Sequence, residues 1–336
     1  MNNYHYQKMK RANYLLDRIA DPENLRLAFW KAQQGKSTKP EVARFRQHLD
    51  KNLLALRGEI LEGKVEVGNY YYFTIYDPKE RQICAAAFRE RVLHHALMNV
   101  CHDNFEQYQI FDSYACRLGK GTYAALDRAK YFQQKYRWFL KLDVRKYFYT
   151  IDHAVLKQRL QCRFKEQRLL DIFGSIIDSY AVEHGRGVPI GNLTSQYFAN
   201  HYLALADHYL KETLCAPAYV RYMDDMVVWT NDKAQLLAIG KQLENYIAQN
   251  LHLMLKPFCL NTTDKGLPFL GYLLYPSKTR LANRSRTRFK EKLEDYTDKL
   301  QHQAWTQAQY QQHVLPLFAF VCHAETKEWR KRVLTV

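Results

Sequence analysis

Two adjacent carboxylates, Asp224 and Asp225, stand between two β-prone runs, Tyr219-Val220-Arg221-Tyr222 and Met226-Val227-Val228-Trp229. This pattern predicts a hairpin with the aspartates at its tight end. Like charges a few ångströms apart repel each other unless a cation lies between them. A third carboxylate, Asp143, falls in the short apolar run Trp138 to Val144. An isolated Asp-Asp is most simply a polar turn, but a third aspartate at the end of a separate strand changes the reading. Three such groups form a cage for two Mg²⁺ ions about 4 Å apart, the arrangement used for in-line phosphoryl transfer.

Several elements must hold these groups. Residues from about Ala12 to Leu61 carry apolar positions at mixed three- and four-residue spacing and read as helical, with Gly63 closing the stretch. Tyr70 to Ile75 and Arg81 to Ala85, joined by Asp77-Pro78-Lys79-Glu80, predict a hairpin, and a helix follows from about Arg89 to His102. Beyond a helical stretch through Leu169 to Tyr180 comes a glycine-rich loop, Gly185 to Gly191, and then a helix from Thr194 to Leu214. After the aspartate hairpin the pattern gives a helix from Lys233 to Asn250, a strand-like Leu253 to Lys256 and the apolar run Phe269 to Tyr275. From about Arg280 the chain is basic and helical.

Lysine and arginine number 50 against 34 acidic residues, a formal charge of +16 spread along the 336 residues, from Lys8-Met9-Lys10-Arg11 to Arg330-Lys331-Arg332. Such a field attracts a polyanion, and its spread suits a long channel better than a basic arm. With 25 tyrosines and 17 phenylalanines, aromatic faces serve the core and can stack on bases. The seven cysteines are scattered and form no C-x-x-C pair, which disfavours a disulfide framework and a zinc site. The lack of a spanning apolar run or a signal-like N-terminus predicts a cytoplasmic protein with no membrane partner. Gly119-Lys120-Gly121-Thr122 suggests a P-loop, but Gly121 breaks the Gly-Lys-Ser/Thr pattern, and the P-loop is rejected.

The order of elements, a strand with Asp143, a glycine loop with a long helix, then an Asp-Asp hairpin, resembles the palm of reverse transcriptases. Tyr222-Met223-Asp224-Asp225 matches their hallmark tetrapeptide. The resemblance covers roughly Tyr71 to Tyr275, with a weaker likeness beyond. It implies an α+β right-hand polymerase fold: N-terminal helices and fingers over 1–110, a palm of antiparallel sheet plus helices over 111–275, and a short helical thumb over 276–336. It also implies two Mg²⁺ ions, with Mn²⁺ able to substitute, at Asp143, Val144, Asp224 and Asp225. Arg81 resembles the fingers arginine that clasps the triphosphate, with Lys79 assisting. Phe148 matches the aromatic gate against a ribose 2′-hydroxyl, or is a core ring beside Tyr147 and Tyr149. Lys256 resembles a lysine that protonates pyrophosphate, or is a solvated strand-end lysine. Phe269-Leu270-Gly271-Tyr272 resembles the primer grip and, with Tyr222 and Met223, would meet primer and template. Arg284, Arg286 and Arg288 would track the duplex backbone or form a solvated face.

Within this superfamily, Val188-Pro189-Ile190-Gly191-Asn192-Leu193-Thr194-Ser195-Gln196 has the Ile-Gly-x-x-x-Ser-Gln form that resembles the reverse transcriptases of diversity-generating retroelements. Tyr114 to Thr122 is similar to the same family's fingers-palm segment. The likeness places Ile190, Gly191 and Gln196 at the nascent base pair. Most relatives have glutamine where Ile190 stands, and an apolar side chain there offers the pair no hydrogen bonds, unless Ile190 simply packs under the helix. The implied activity is copying a template-repeat RNA into cDNA with frequent errors at adenines. Implied partners are template RNA, the RNA/DNA duplex, dNTPs and a small basic accessory protein. No added nuclease domain is expected. The retron signatures Asn-Ala-x-x-His and Val-Thr-Gly are missing. Two other readings compete: an antiphage-defence reverse transcriptase with its own noncoding RNA or an unusual primer, and a non-catalytic RNA-binding protein on a polymerase scaffold.

Overall fold

The computed structural model describes residues 11–76 and 80–334. Lys79, the turn residues Asp77 and Pro78, and the basic Lys8-Met9-Lys10 lie outside the described residues. In chain order the elements begin with helices α1 (Leu16–Ile19), α2 (Pro22–Gln33), α3 (Pro40–Gln47) and α4 (Leu49–Glu62), strands β1 (Tyr70–Ile75) and β2 (Arg81–Ala86), and α5 (Phe88–Glu106). Next come α6 (Thr122–Lys135), β3 (Trp138–Asp143), α7 (Tyr147–Thr150), α8 (His153–Arg163), α9 (Gln167–Asp178) and α10 (Leu193–His208), which a π-helical turn, Tyr209–Thr213, extends. Then follow β4 (Ala218–Tyr222), β5 (Asp225–Thr230), α11 (Lys233–Leu251), β6 (Cys259–Thr262), β7 (Leu267–Phe269), β8 (Tyr272–Leu274) and β9 (Thr279–Leu281). Helices α12 (Asn283–Gln301), α13 (Gln307–Cys322) and α14 (Lys327–Leu334) complete the order. Among the described residues no helix is long and apolar enough to cross a membrane.

The chain divides into two compact units. One comprises Met1–Ile110, Val144–His208 and Glu244–Met254; the other comprises Phe111–Asp143, Tyr209–Leu243 and Leu255–Val336. In the first, α2 starts where the Asp21 carboxylate accepts the backbone N–H groups of Glu23 and Asn24 and Pro22 fits the first turn. It buries Leu25, Ala28, Phe29 and Ala32, the i, i+3, i+4, i+7 stripe of an amphipathic helix. Helix α4 stops at Gly63, whose φ of 72° suits a residue without Cβ. Strands β1 and β2 pair antiparallel with Ile75 opposite Arg81, as the turn signal predicts. Phe105, Phe164, Phe173 and Phe198 form a ring cluster with centroids 5.2 to 6.3 Å apart.

The second unit holds an antiparallel sheet in the order β4-β5-β3-β6 and a smaller sheet in the order β7-β8-β9. The fully buried Trp229 of β5 donates its indole N–H to Gln133 on α6, and Gln133 donates to the Leu274 carbonyl of β8 at 2.7 Å. Each polar group in that core chain has a partner, so burial carries no unsatisfied penalty there. Phe289, Phe318 and Trp329 join the three C-terminal helices through ring contacts.

One expected strand does not form, and one apolar run is divided by a turn. Phe269 to Tyr275 is not one run: Leu270 and Gly271, at φ 49° and 88°, turn the chain between β7 and β8. Leu253 to Lys256 forms no strand. Met254 accepts from the Arg145 N–H and Lys256 donates to the Asp143 carbonyl, but Pro257 has no N–H to extend pairing, and β6 begins at Cys259.

Candidate active site

Register brings the carboxylates together within the second unit. In the β3–β5 pairing Asp143 lies directly opposite Asp225, and in β4–β5 Tyr222 faces Asp225 across the turn Met223-Asp224. Directly opposed residues of an antiparallel pair have Cα atoms about 4.5–5.5 Å apart and project to the same face. Met223 has φ 54°, a conformation that costs a non-glycine residue about 1–2 kcal/mol. Arg221, fully buried, offsets it by donating from Nη1 to the Met223 carbonyl at 3.1 Å. The backbone of Arg221 is itself clamped by Asp112 O and Tyr114 N, each at 2.9 Å. Arg128 holds Asp112 in turn, with Nε and Nη2 at 2.9 and 3.3 Å from its two oxygens.

Each carboxylate on the sheet meets a lysine. Lys256 Nζ lies 2.7 and 2.8 Å from the two oxygens of Asp143. Lys141 Nζ donates to Asp225 Oδ2 at 3.0 Å and to the Pro268 carbonyl at 2.8 Å. Asp225 Oδ1 is buried and has no hydrogen-bond partner among the described residues. Burial raises the Asp225 carboxyl to about 6; Lys141 opposes the rise, and Asp143 and Asp224 add to it. Among the described residues no three acidic, imidazole or thiol groups are already gathered around one point. The donor set nonetheless fits a hard divalent cation: anionic oxygens on facing strands, with one buried oxygen on each of Asp143 and Asp225 making no hydrogen bond among the described residues.

The segment resembling a primer grip is in the same unit. A Cβ on Gly271 would stand 3.0 Å from Ser285 Oγ and Phe320 Cζ, tighter than ordinary contact, at a φ of 88° that suits glycine. Ser285 Oγ donates to the Gly271 carbonyl at 2.7 Å, and the Tyr272 hydroxyl donates to the Phe320 carbonyl at 2.6 Å. Tyr222 accepts a hydrogen bond from Thr122 Oγ1 at 3.2 Å. Arg284, Arg286 and Arg288 fall inside α12, so alternation does not align them: Arg284 and Arg288 share a helix face, while Arg286 lies 5.9 Å over Trp329.

The remaining nucleotide-contact candidates belong to the first unit, where the glycine loop ties them together. The Ile190 carbonyl accepts from the Cys84 N–H at 2.8 Å, on the strand that begins with the exposed Arg81. Gly191, at φ 117°, packs where a Cβ would stand 2.8 Å from Ile83 Cγ2. Val188 N–H donates to the Phe148 carbonyl at 2.8 Å. Phe148 is half-buried while its neighbour Tyr147 fills the core. Val144 is buried, and Gln196 lies half-buried on α10. Sequence reasoning missed Lys141 and Arg221. The signal for Lys141 was its place two residues before Asp143 on a strand, which puts both on one face.

The chain is 23% identical over 279 residues to Protein YkfC of Escherichia coli, covering 68% of this chain and 73% of that protein. It is 24% identical over 130 residues to the putative COX1/OXI3 intron 2 protein of Saccharomyces cerevisiae, covering 37% of this chain and 15% of that one. Apo telomerase from Candida tropicalis matches with a TM-score of 0.50 at 12% identity, over 68% of this chain. The chain spans about half the length of that telomerase, 52%, and shares its right-hand polymerase fold. Residues 77–274, more than half of the chain, match the family model for reverse transcriptase (RNA-dependent DNA polymerase). With the facing aspartates Asp143 and Asp225 and the Tyr222–Asp225 turn inside the matched span, this chain belongs to the reverse transcriptase family of RNA-directed DNA polymerases.

Proposed function

We propose that the chain copies a template-repeat RNA into cDNA for a diversity-generating retroelement, by two-metal nucleotidyl transfer at Asp143, Asp224 and Asp225. One observation carries the chemistry: Asp143 and Asp225 face each other across β3–β5 with a buried carboxylate oxygen unused. Two Mg²⁺ ions, held by these aspartates and Val144, would supply activation of the primer 3′-hydroxyl and charge neutralisation on the leaving pyrophosphate. In this reading Arg81, assisted by Lys79, receives the triphosphate, Phe148 blocks a 2′-hydroxyl, and Lys256 gives a proton to pyrophosphate. Tyr222, Met223 and the turn Phe269-Leu270-Gly271-Tyr272 seat the primer end. Fingers, palm and thumb correspond to 1–110, 111–275 and 276–336, with Arg284, Arg286 and Arg288 on the thumb against the duplex.

The retroelement assignment rests on the Ile-Gly-x-x-x-Ser-Gln form of Ile190 to Gln196. Ile190 offers the nascent pair shape but no hydrogen bond, so adenines are copied with frequent errors. A small basic accessory protein and a structured RNA complete the assembly. The test is primer extension on an RNA template with Mg²⁺: the parent extends, and Asp224→Asn does not. Extension by the mutant at the parental rate removes the catalytic reading. On the same template Ile190→Gln lowers misincorporation at adenines, and an unchanged error spectrum removes the retroelement mechanism while leaving the polymerase.

A further inference from the structure

Lys141 and Lys256 each neutralise one carboxylate, but their bonding differs. Lys256 Nζ donates to Asp143 Oδ2 at 2.8 Å and stands 2.7 Å from Oδ1, to which it makes no hydrogen bond, and its side chain is 41% exposed. Because the ammonium straddles the carboxylate, a second cation on either oxygen of Asp143, Oδ1 included, would stand against it and displace it. Lys141 is 20% exposed and divides its donors between Asp225 Oδ2 and the Pro268 carbonyl. Asp225 keeps Oδ1 unused, so a cation can bind it with the Lys141 bond intact. Pro268 lies on β7, immediately before the Phe269–Tyr272 turn, and its backbone carbonyl cannot rotate away as a side chain could.

Building on the proposed reading that these carboxylates bind divalent cations, we infer that Lys141 is a permanent positioning residue. It fastens the outer oxygen of Asp225 to the strand that leads into the Phe269–Tyr272 turn. Lys256, by contrast, is a counter-ion released from Asp143 when the cation binds. The two lysines thus separate two tasks. One keeps the carboxylate in register with the turn. The other holds the metal-free site together and, once released, has a free ammonium near the cation. Outer-shell groups that orient ligands in this way typically alter affinity or activity by about 10–100-fold when removed.

The experiment is amine-reactive labelling of the full chain read by peptide mass spectrometry, in EDTA and in saturating Mn²⁺, with Mn²⁺ binding followed in the same samples by electron paramagnetic resonance. Lys256 labelling rises roughly tenfold with Mn²⁺, the equivalent of losing about 1.4 kcal/mol of pairing. Lys141 labelling stays within about twofold of its EDTA value. Parallel rises at both lysines, with Mn²⁺ bound, overturn the inference and leave the metal reading standing. No bound Mn²⁺ overturns the metal reading and the inference with it. Independently, Lys141→Met lowers kcat by about 10–100-fold with KM for dNTP within about twofold and Mn²⁺ still bound, and Lys141→Arg recovers most of the loss. Parental kcat in Lys141→Met refutes the positioning role.

Discussion

Asp225 gives the sharpest link between geometry and measurement. Burial holds its carboxyl at about 6 instead of the ordinary 3.8, although Lys141 pulls the other way. Ionising a group so displaced costs the metal-free fold about 3 kcal/mol at neutral pH. A carboxyl raised in the folded state contributes its full stability below pH 3.8, and that contribution is lost as pH rises through about 6. Asp225→Asn keeps the shape and removes the charge. It weakens the bond from Lys141 by about 1 kcal/mol, which leaves a net gain of about 1–2 kcal/mol in EDTA at pH 7.5. That corresponds to a melting temperature higher by roughly 1–3 °C. At pH 5 the carboxyl penalty falls to about half, so the advantage shrinks or vanishes.

The assay is thermal unfolding of parent and mutant in EDTA at both pH values, repeated with Mg²⁺, and primer extension alongside. Extension falls in the mutant by at least about a hundredfold, since on the proposed reading a ligand of the metal pair is gone. Added Mg²⁺ raises the melting temperature of the parent more than that of the mutant. A mutant that melts below the parent in EDTA at pH 7.5 refutes the account. So does a stability gap that widens on acidification, because the carboxylate would then be a net stabiliser of the metal-free fold.

Other perturbations test other parts. Gly191→Ala forces a Cβ to within 2.8 Å of Ile83 at φ 117°, so it destabilises the first unit by about 1–3 kcal/mol and raises KM for dNTP; an unchanged melting curve counts against the tight junction. His201 is buried, and burial lowers its imidazole from 6.5 to about 4, so its contribution is full above pH 6.5 and lost as pH falls towards 4. About 2 kcal/mol goes by pH 5, and His201→Gln flattens that limb of the stability profile; a parallel pH profile would show that His201 is not its source. Arg284→Ala, at an exposed site on α12, weakens duplex binding equally for all sequences and lowers the salt slope by about 1; an unaltered slope places the residue off the backbone path.

How much of this was legible in the sequence depended on whether a signal was local. Two β-prone runs flanking Asp224-Asp225 gave the hairpin because alternation, turn and charge agreed over a dozen residues. The apolar stripe of α9, with Leu169, Ile172, Phe173, Ile176 and Ile177 buried, was equally direct. The Phe269 to Tyr275 run concealed its turn, because only Gly271 announces it and Leu270 adopts a positive φ that leucine rarely does. Helices α6 and α8 carry a weak local signal: Thr122–Lys135 and His153–Arg163 interleave charges with their apolar positions and lack a glycine or proline stop. Arg284, Arg286 and Arg288 alternate in the sequence, but the helix that contains them has a period of 3.6, which separates Arg286 from the other two.

Lys141 and Arg221 mark a different boundary. Charged residues inside strands ordinarily read as the solvent face, and each here is instead bonded to the aspartate hairpin. What assigns them is register, which fixes that Asp143 and not Leu142 lies opposite Asp225. Once that is set, Lys141 must share a face with Asp143, and the only charge of opposite sign needed to hold Asp225 is already two residues away. Sequence thus identifies which groups can do chemistry, and pairing decides which cations hold them before a substrate arrives. Carboxylates set face to face must be balanced within the chain itself. Here that requirement is met by lysines of unequal commitment, one bound to a single carboxylate and one braced against the backbone.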